Sequence, residues 1–524
     1  MSDAVLIVGA GPVGLSAGVA LARAGIRIRI IDRLITPTSE SRAAIVHART
    51  LEHFERLGFV EDFLSAGVKV RGAAIYGPGN HLLIRPSLDH LPTPFPFMLG
   101  LEQFETERLL AARLDQAGAA IERGVELIDF EDSVDHVAAR LRHPDGTEKT
   151  AEFAYVLGCD GAGSTVRGVL ALHMEGETLD TIWMTADVRI RWDRDPDEAI
   201  TYLSPDGIAF IAPMNDNRWR VVINLPTTTK AEAENLTLDD IQAIVRGRFG
   251  ADVPLYDPVW ISPFGINTRM VPTMRRGRIF LAGDAAHVHS PVGGQGMNTG
   301  IQDALNLAWK LALVLRGAAK PELLDSYNAE RHANARRLLA RIGPATKMAS
   351  LRHPVAIEVR NWLIHLLGEL GFSHAMPRIV SMLDVAYPDS PIVSESHTRW
   401  LSRGPHAGDR APDADGLLCA GQREPQRLFA IWSGDDRHQL LHFAANDASL
   451  LPASPLYSIT RIVREGSPRR GVIVDTKSRA HEAYSVGKPG PCFLVRPDGV
   501  IAFRSGEPDA TALLEYLGKW YPSV

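Results

Sequence analysis

"AVLIVGAGPVGLSAGVALARAGIRIRIID" occupies Ala4–Asp32 and reads as strand, glycine turn, helix, strand. Val5–Val8 is an uninterrupted apolar run, the pattern of a strand buried on both faces of a parallel sheet. Helical spacing runs from about Pro12 to Arg23 and ends near Gly25, where a glycine serves as the residue after the helix. A second strand ends at Asp32. Between the first strand and the helix, Gly9, Gly11 and Gly14 stand in the spacing G-x-G-x-x-G. The first glycine permits a tight turn, the second lets a pyrophosphate reach the backbone, and the third lets helix and strand approach closely. A phosphate then rests on the positive end of the helix, and Asp32 is placed to bond the ribose hydroxyls of an adenosine. This unit binds a dinucleotide. It does not distinguish NAD, NADP and FAD, and Arg33 fits either a 2′-phosphate or a solvated surface.

The rest of the chain limits what such a unit can belong to. At about 150 residues per domain, 524 residues suggest roughly three domains. The net charge of −6 is spread without long runs, which argues against nucleic acid or an anionic membrane as partner. No 18 consecutive residues are uniformly apolar; the most apolar late stretch, Asn361–Phe372, is short and reads as a core helix. The N-terminus has no basic region or cleavage site of a signal peptide. Cys159, Cys419 and Cys492 lie far apart, which leaves neither a disulfide framework nor a CxxC pair and makes a cytoplasmic location the expectation.

Residues 40–60 and 101–118 read as helical, and 121–157 as short strands with a turn at His143–Thr147. From about Thr181 to Arg269 the chain alternates and is rich in β-branched and aromatic residues, with turn signals at Ser204–Gly207 and Asn215–Asn217. This predicts an antiparallel sheet, interrupted by a helix near Leu238–Phe249. Gly277–Asp284 returns to a parallel-type strand, and helices dominate to about Leu383. The Pro- and Ser-containing stretch 386–404 reads as a linker, followed by a separate unit at 405–524.

Two further acid–glycine signals occur at strand ends. "VLGCDGAGSTVR" carries Asp160-Gly161, then Ser164 and Arg167. "FLAGDAAHVHSP" carries Gly283-Asp284. Together with the first unit they fit one extended ligand crossing the carboxyl edge of a sheet, although an acid or serine at either place also suits a helix cap. The third signal continues as "GDAAHVHSPVGGQGMNTG" (Gly283–Gly300) and opens a strong helix. His287 and His289 form an H-x-H pair, but no acid or cysteine nearby completes a metal site, so no metal is expected.

In this order, Gly9–Gly14, Cys159–Arg167 and Gly283–Asn298 resemble the three signatures of the FAD-dependent aromatic hydroxylases. These are the single-component flavoprotein monooxygenases related to para-hydroxybenzoate hydroxylase, phenol hydroxylase and the polyketide hydroxylases. The resemblance covers about residues 3–380. It implies an α/β fold with α+β elements: a Rossmann-like FAD-binding domain (1–180 and 271–385), an inserted antiparallel-sheet substrate domain (181–270), a linker (386–404) and a C-terminal thioredoxin-like domain (405–524). In that last domain Arg496–Gly499 forms a strand-joining turn. CxxC is missing, and Trp432–Asp436 is taken to fall where an active thioredoxin has its cysteines, so a structural or oligomerising role is expected.

Carried over residue by residue, the resemblance assigns FAD to Gly9, Gly11, Val13, Gly14, Asp32, Arg33, Arg42, Gln103, Arg108, Val125, Asp160, Asp284, Pro291, Gly296, Met297 and Asn298. Asp32 stands on the ribose, Asp284 on the ribityl chain, and Val125 lends its backbone to the adenine. Arg42, Pro291 and Tyr202 are the catalytic candidates, with Trp183, Phe210 and Trp219 beside Tyr202 as pocket walls. Gly293, Gly294 and Gly296 leave room for a planar ring, and the helix that follows turns its positive end toward the anionic edge of reduced flavin. The implied activity is that of an oxidoreductase, a flavoprotein monooxygenase. NADH or NADPH is the transient reductant, O2 forms a flavin C4a-hydroperoxide, and a phenolic, quinonoid or related aromatic substrate is hydroxylated. Baeyer–Villiger oxidation or epoxidation on the same fold is the alternative reaction, the Trp-x-Trp-x-Ile-Pro signature usual in flavin halogenases being absent, and a non-catalytic flavin-binding redox sensor the alternative of another class. A homodimer is compatible with the sequence.

Overall fold

Val5–Val8 lies at the heart of a six-stranded sheet in the computed structural model. The structure describes residues 4–38, 43–225, 228–249, 253–291, 293–349, 351, 353–396, 403–444, 451–488 and 490–522. The strand order is Arg275–Arg276, Ile279–Leu281, Tyr155–Gly158, Val5–Val8, Ile28–Asp32, Ile121–Arg123, and all pairs are parallel except the first. Val8 is in register with Gly158 on one side and Ile31 on the other. The chain therefore leaves the central strand to both sides, which opens a crevice at its carboxyl end. The helices Pro12–Arg23 and Gly296–Leu315 pack together over this sheet, and the second of them is buried from Asn298 to Ala312.

The region read as helical at 40–60 begins instead with a short strand, Ile45–Val46, and its helix starts at Ala48. The helices Gln103–Gln116 and Leu238–Phe249 fall where the apolar spacing placed them.

A second sheet has eight strands. Glu175–Ile190, Arg218–Leu225, Gly207–Pro213, Glu198–Ser204 and Leu255–Met270 are antiparallel, but the sheet also recruits Gly72–Tyr76, Leu82–Ile84 and His287–Val288 from outside 181–270. Gly72–Tyr76 joins in parallel, so the sheet is mixed. Alternation along its strands sorts side chains between two faces. Met184, Tyr202 and Trp219 belong to the face buried against Ile241, Val245 and Phe249. Trp183, Leu203, Ile208 and Phe264 belong to the other, where Ile364 of the helix Pro354–Leu367 packs.

The C-terminal residues build a seven-stranded sheet in the order Ser394–Glu395, Ile501–Ser505, Cys492–Val495, His438–Phe443, Tyr457–Val463, Val472–Asp475, Leu417–Leu418. The stretch 386–404, read as a linker, thus contributes an edge strand, and buried Tyr387 within it accepts a hydrogen bond from Arg331 at 2.6 Å. Trp432–Asp436 leads into the strand His438–Phe443 and touches the N-terminal body: Gly434 N–H donates to the Arg56 carbonyl at 2.9 Å and Ser433 Oγ to the Glu55 carbonyl at 2.8 Å. Three arginines of the C-terminal unit meet three glutamates of that body. Arg410 grips Glu52, Arg427 grips Glu55, and Arg496 grips Glu330. Arg496 and Glu330 are fully buried, and Lys310 shares Glu330 at 2.8 Å. Ion pairs this deep fix one docking geometry more than they add stability. Among the described residues no helix is long and apolar enough to cross a membrane.

Candidate active site

The three glycine-bearing signatures converge at the carboxyl edge of the first sheet. Gly9 has φ +102°, and a Cβ there would come within 2.5 Å of the Cys159 carbonyl. A Cβ on Gly14 would lie 1.9 Å from the Gly9 carbonyl. Both positions are closed to any other residue. At Gly11 the opposite holds: a Cβ would meet nothing within 4 Å. Two glycines are thus required by the chain's own packing, and the third faces open space where a ligand can approach. Gly11 has φ −76°, a value any residue adopts. Gly11→Ala is therefore expected to leave the fold intact and to weaken FAD about tenfold to a hundredfold, or roughly 1.4–2.8 kcal/mol. A flavin titration of the apoprotein, with circular dichroism as the folding control, checks this.

Asp32 sits at the end of its strand and turns back to the glycine loop. Its carboxylate accepts from Ala10 N–H and Leu34 N–H, both at 2.8 Å. Val13 turns its side chain inward: a Cβ on Gly283 would lie 2.9 Å, and one on Gly300 2.6 Å, from a Val13 methyl. The first and third signatures are thus in direct contact. The second is joined to the third by Arg167, whose Nη1 donates to the Ala285 carbonyl at 3.1 Å. Asp284 is exposed at this edge.

The loop after Asp284 is held from beneath. Asn298, fully buried, accepts from His47 N–H at 2.9 Å and donates to the carbonyls of Ile45 and Gly294. His47 Nε2 bonds the Gly293 carbonyl at 2.8 Å. Gly294 N–H closes a turn on the Pro291 carbonyl, and Gly293 and Gly294 have φ +85° and +64°. Their conformation demands glycine before any ring is considered. Pro291 is exposed, and Gly296 and Met297 are half-buried. No side chain caps the helix Gly296–Leu315, because Gln295 donates instead to the carbonyls of Ile379 and Val380. Its first-turn N–H groups are left for another acceptor.

Behind the loop, Asp303 Oδ2 accepts from Gly283 N–H at 3.0 Å and bonds His287 Nε2 at 2.7 Å; Arg331 Nε donates to Oδ1 at 2.6 Å. Burial pushes the Asp303 carboxyl up, but the Arg331 charge, His287 and the Gly283 N–H together outweigh it and hold the group below the usual carboxylate range. Among the described residues no cluster of three metal-ligating side chains occurs. Asp303, Arg331 and His47 were not singled out in the sequence, although a charged residue on so apolar a helix was a signal for Asp303.

The other candidates are placed as follows. Tyr202 is not at the site: it stacks on Phe249 at 4.0 Å and bonds Asn80 and Arg194 on the helix-covered face, as strand alternation requires. Trp219 shares that face, whereas Trp183 and Phe210 lie on the other. Asp160 spends both carboxylate oxygens on the helix Thr165–Val169, taking Ser164 Oγ at 2.5 Å and Thr165 N–H at 2.7 Å. It is a cap at the crevice. The N–H of Val125 is bound to the Asp32 carbonyl. Arg33 is exposed, and exposed Arg108 pairs with Glu105 on its own helix. Gln103 bonds Ala43 N–H at 3.2 Å and Glu107. Arg42 lies outside the described residues.

Buried polar atoms without a partner mark where a ligand belongs. At this loop they are His47 Nδ1 and His289 Nε2; Trp183 Nε1 and Thr185 Oγ1 are likewise unpaired on the second sheet. With the open face of Gly11 and the uncapped helix, the residues present fit a long, polar, planar-ended cofactor.

Such a crevice, tied to the second sheet through the pairing of His287–Val288 with Leu255–Met270, fits a dinucleotide-dependent oxidoreductase. The FAD binding domain family model matches residues 3–342, and the chain belongs to that family, as a monooxygenase of the FAD-dependent aromatic hydroxylase type. It is 36% identical to 6-methylpretetramide 4-monooxygenase of Streptomyces rimosus, over 98% of this chain and 93% of that protein. It is 33% identical to pentachlorophenol 4-monooxygenase of Sphingobium chlorophenolicum, over 96% and 94%. Its structure is similar to aklavinone-11 hydroxylase in ternary complex with FAD and aklavinone, with a TM-score of 0.79, 26% identity and 98% of each chain covered.

Proposed function

We propose that the protein hydroxylates a polycyclic phenolic or quinonoid substrate with FAD, using NADPH or NADH as electron donor and O2 as oxidant. The observation that carries this reading is the convergence of the three signatures on one crevice, with Gly11 open and Gly9 and Gly14 closed by the chain itself. In this reading Gly11 and the helix Pro12–Arg23 hold the pyrophosphate and Asp32 the ribose. Asp284 holds the ribityl chain, with Gln103 beside it, and Pro291, Gly296, Met297 and Asn298 border the flavin ring. FAD, when bound, supplies the redox and oxygen-activating chemistry. The chain positions it, offers the uncapped N-terminus of Gly296–Leu315 to negative charge, and excludes water.

Trp183, Ile208 and Phe264 give the substrate an apolar wall, and Trp183 Nε1 and Thr185 Oγ1 give it polar anchors. Aklavinone-11 hydroxylase, with aklavinone bound, supports a multi-ring substrate. Trp183→Phe keeps the ring and removes the donor, so KM is expected to rise about five- to tenfold with kcat little changed. The proposed layout places the flavin at 1–180 and 271–385, the substrate sheet at 181–270 with its recruited strands, and a thioredoxin-like unit at 405–524. Cys159, Cys419 and Cys492 are all unpaired, which supports a reducing, cytoplasmic setting.

The test is to purify the yellow holoprotein and screen polycyclic phenols for stimulated NAD(P)H consumption without matching peroxide release. A protein that takes up no FAD, or that consumes NAD(P)H with equal peroxide for every phenol tried, would overturn the proposal.

A further inference from the structure

A second cavity, of about 80 Å³, lies between the N-terminal body and the C-terminal unit. One ordered water needs roughly 10–15 Å³ by the same measure, so the space holds several waters or one small organic molecule. It is remote from the flavin crevice. Its lining includes Arg23, eleven residues along the helix from Pro12, or about 16 Å at 1.5 Å per residue.

Arg56 is the unusual member of this lining. It is 6% exposed, and its Nε and Nη2 have no partner. Nη1 reaches only the Trp432 carbonyl, at 3.5 Å, and the guanidinium lies over the Trp432 ring at 5.3 Å. The buried or half-buried arginines Arg410, Arg427 and Arg496 at this interface have each found a glutamate. Trp309, also in the lining, leaves its Nε1 without a partner. A buried guanidinium with a free edge is costly unless something accepts from it.

The free edge is the Nε–Nη2 side, the fork that matches a carboxylate with two parallel hydrogen bonds. The walls nearby are apolar: Ala20, Ala24, Leu57, Leu305 and Ala308. Arg23 and Arg316 stand at the exposed rim, and Arg23 has no ion pair among the described residues. Three carboxylates also line the cavity, each with a cation already: Asp435 with Arg437, Asp436 with Arg316, and Asp498 with Arg496. They disfavour a dianion such as phosphate. We infer that this interdomain cavity binds a small organic monocarboxylate with an apolar body, its carboxylate on the Arg56 fork and its body against the alanine and leucine wall.

Benzoate is the probe, titrated calorimetrically into the FAD-loaded full-length protein. Saturable binding is expected, with a thermal midpoint that rises with benzoate as linkage requires. The flavin absorption spectrum should stay unchanged while tryptophan fluorescence responds. Arg56→Met should weaken binding by about tenfold or more, and Arg56→Lys, which keeps the charge and loses the fork, should fall between. Without benzoate, Arg56→Met should melt no lower than the native protein, since an unpaired buried charge has been removed. The inference fails if benzoate does not saturate, or if inorganic phosphate binds more tightly. It fails equally if benzoate binding perturbs the flavin spectrum and survives Arg56→Met, because the aromatic substrate pocket is then the receptor.

Discussion

Arg331→Met is expected to lower stability by about 3–5 kcal/mol, the cost of breaking a buried pair and leaving its partner charged and alone. The side chain it removes is fully buried and makes three bonds with three consequences. Nε holds Asp303 at 2.6 Å, Nη1 holds Tyr387 Oη at 2.6 Å, and Nη2 holds the Thr299 carbonyl in the first turn of Gly296–Leu315 at 3.1 Å. Asp303 in turn fixes Gly283 N–H, the start of the third signature. Loss of Arg331 therefore loosens the flavin loop from behind without touching the cofactor. Urea unfolding should show the stability loss, and flavin titration at low temperature, where the variant is folded, should show weaker FAD binding. Arg331→Lys restores the charge but not the fork and should recover part of both. A variant with native stability and native FAD affinity would show that Asp303 is held by His287 and Gly283 alone.

The parts legible in sequence were those governed by local rules. Gly14 is closed by the Gly9 carbonyl in the same turn and Gly9 is marked by its φ of +102°, so their spacing carries these features, whereas the packing of Gly9 on the Cys159 carbonyl comes from a distant strand. Period-3.6 spacing marked Leu238–Phe249 and Gln103–Gln116 because each buries one face. The face occupied by Tyr202 was not legible. Alternation places Tyr202 and Leu203 on opposite sides of a strand, but which side meets a helix and which the crevice is decided by the distant segments Leu238–Phe249 and Pro354–Leu367. The capping role of Asp160 was visible as one of two options, since Ser164 and Thr165 follow it four and five residues on. The Arg331–Asp303 pair spans 28 residues and the Arg496–Glu330 pair spans 166, and no spacing rule connects either. Even so, Asp303, Asn306 and Lys310 recur at three and four residues along an otherwise apolar helix. A polar stripe on a helix too apolar for the surface signals a buried network.

Four buried histidines make the protein sensitive to acid, and the loss should begin below pH 6.5. His47 and His289, which flank the flavin loop, are pushed down by burial to about 4, against a partial lift from backbone carbonyls. His53 and His438, at the interface with the C-terminal unit, are pushed down by burial to about 3. In the unfolded chain each takes up its proton near pH 6.5. Between 6.5 and 4 the unfolded state therefore binds more protons than the native state, and stability falls as pH falls. His47 alone accounts for about 3 kcal/mol by pH 4. Its Nε2–H already serves the Gly293 carbonyl, so the added proton goes to Nδ1, which is buried without an acceptor. Protonation there should open the loop before the whole fold melts, with FAD fluorescence rising at a higher pH than the loss of ellipticity. His47→Gln, which can donate to Gly293 and takes no proton in this range, should flatten the flavin-release profile while leaving the acid unfolding driven by His53 and His438. A wild-type thermal midpoint that stays level from pH 6.5 to 4.5 would mean that these histidines reach water in the native state, and the closed loop described for His47 and Asn298 would have to be abandoned.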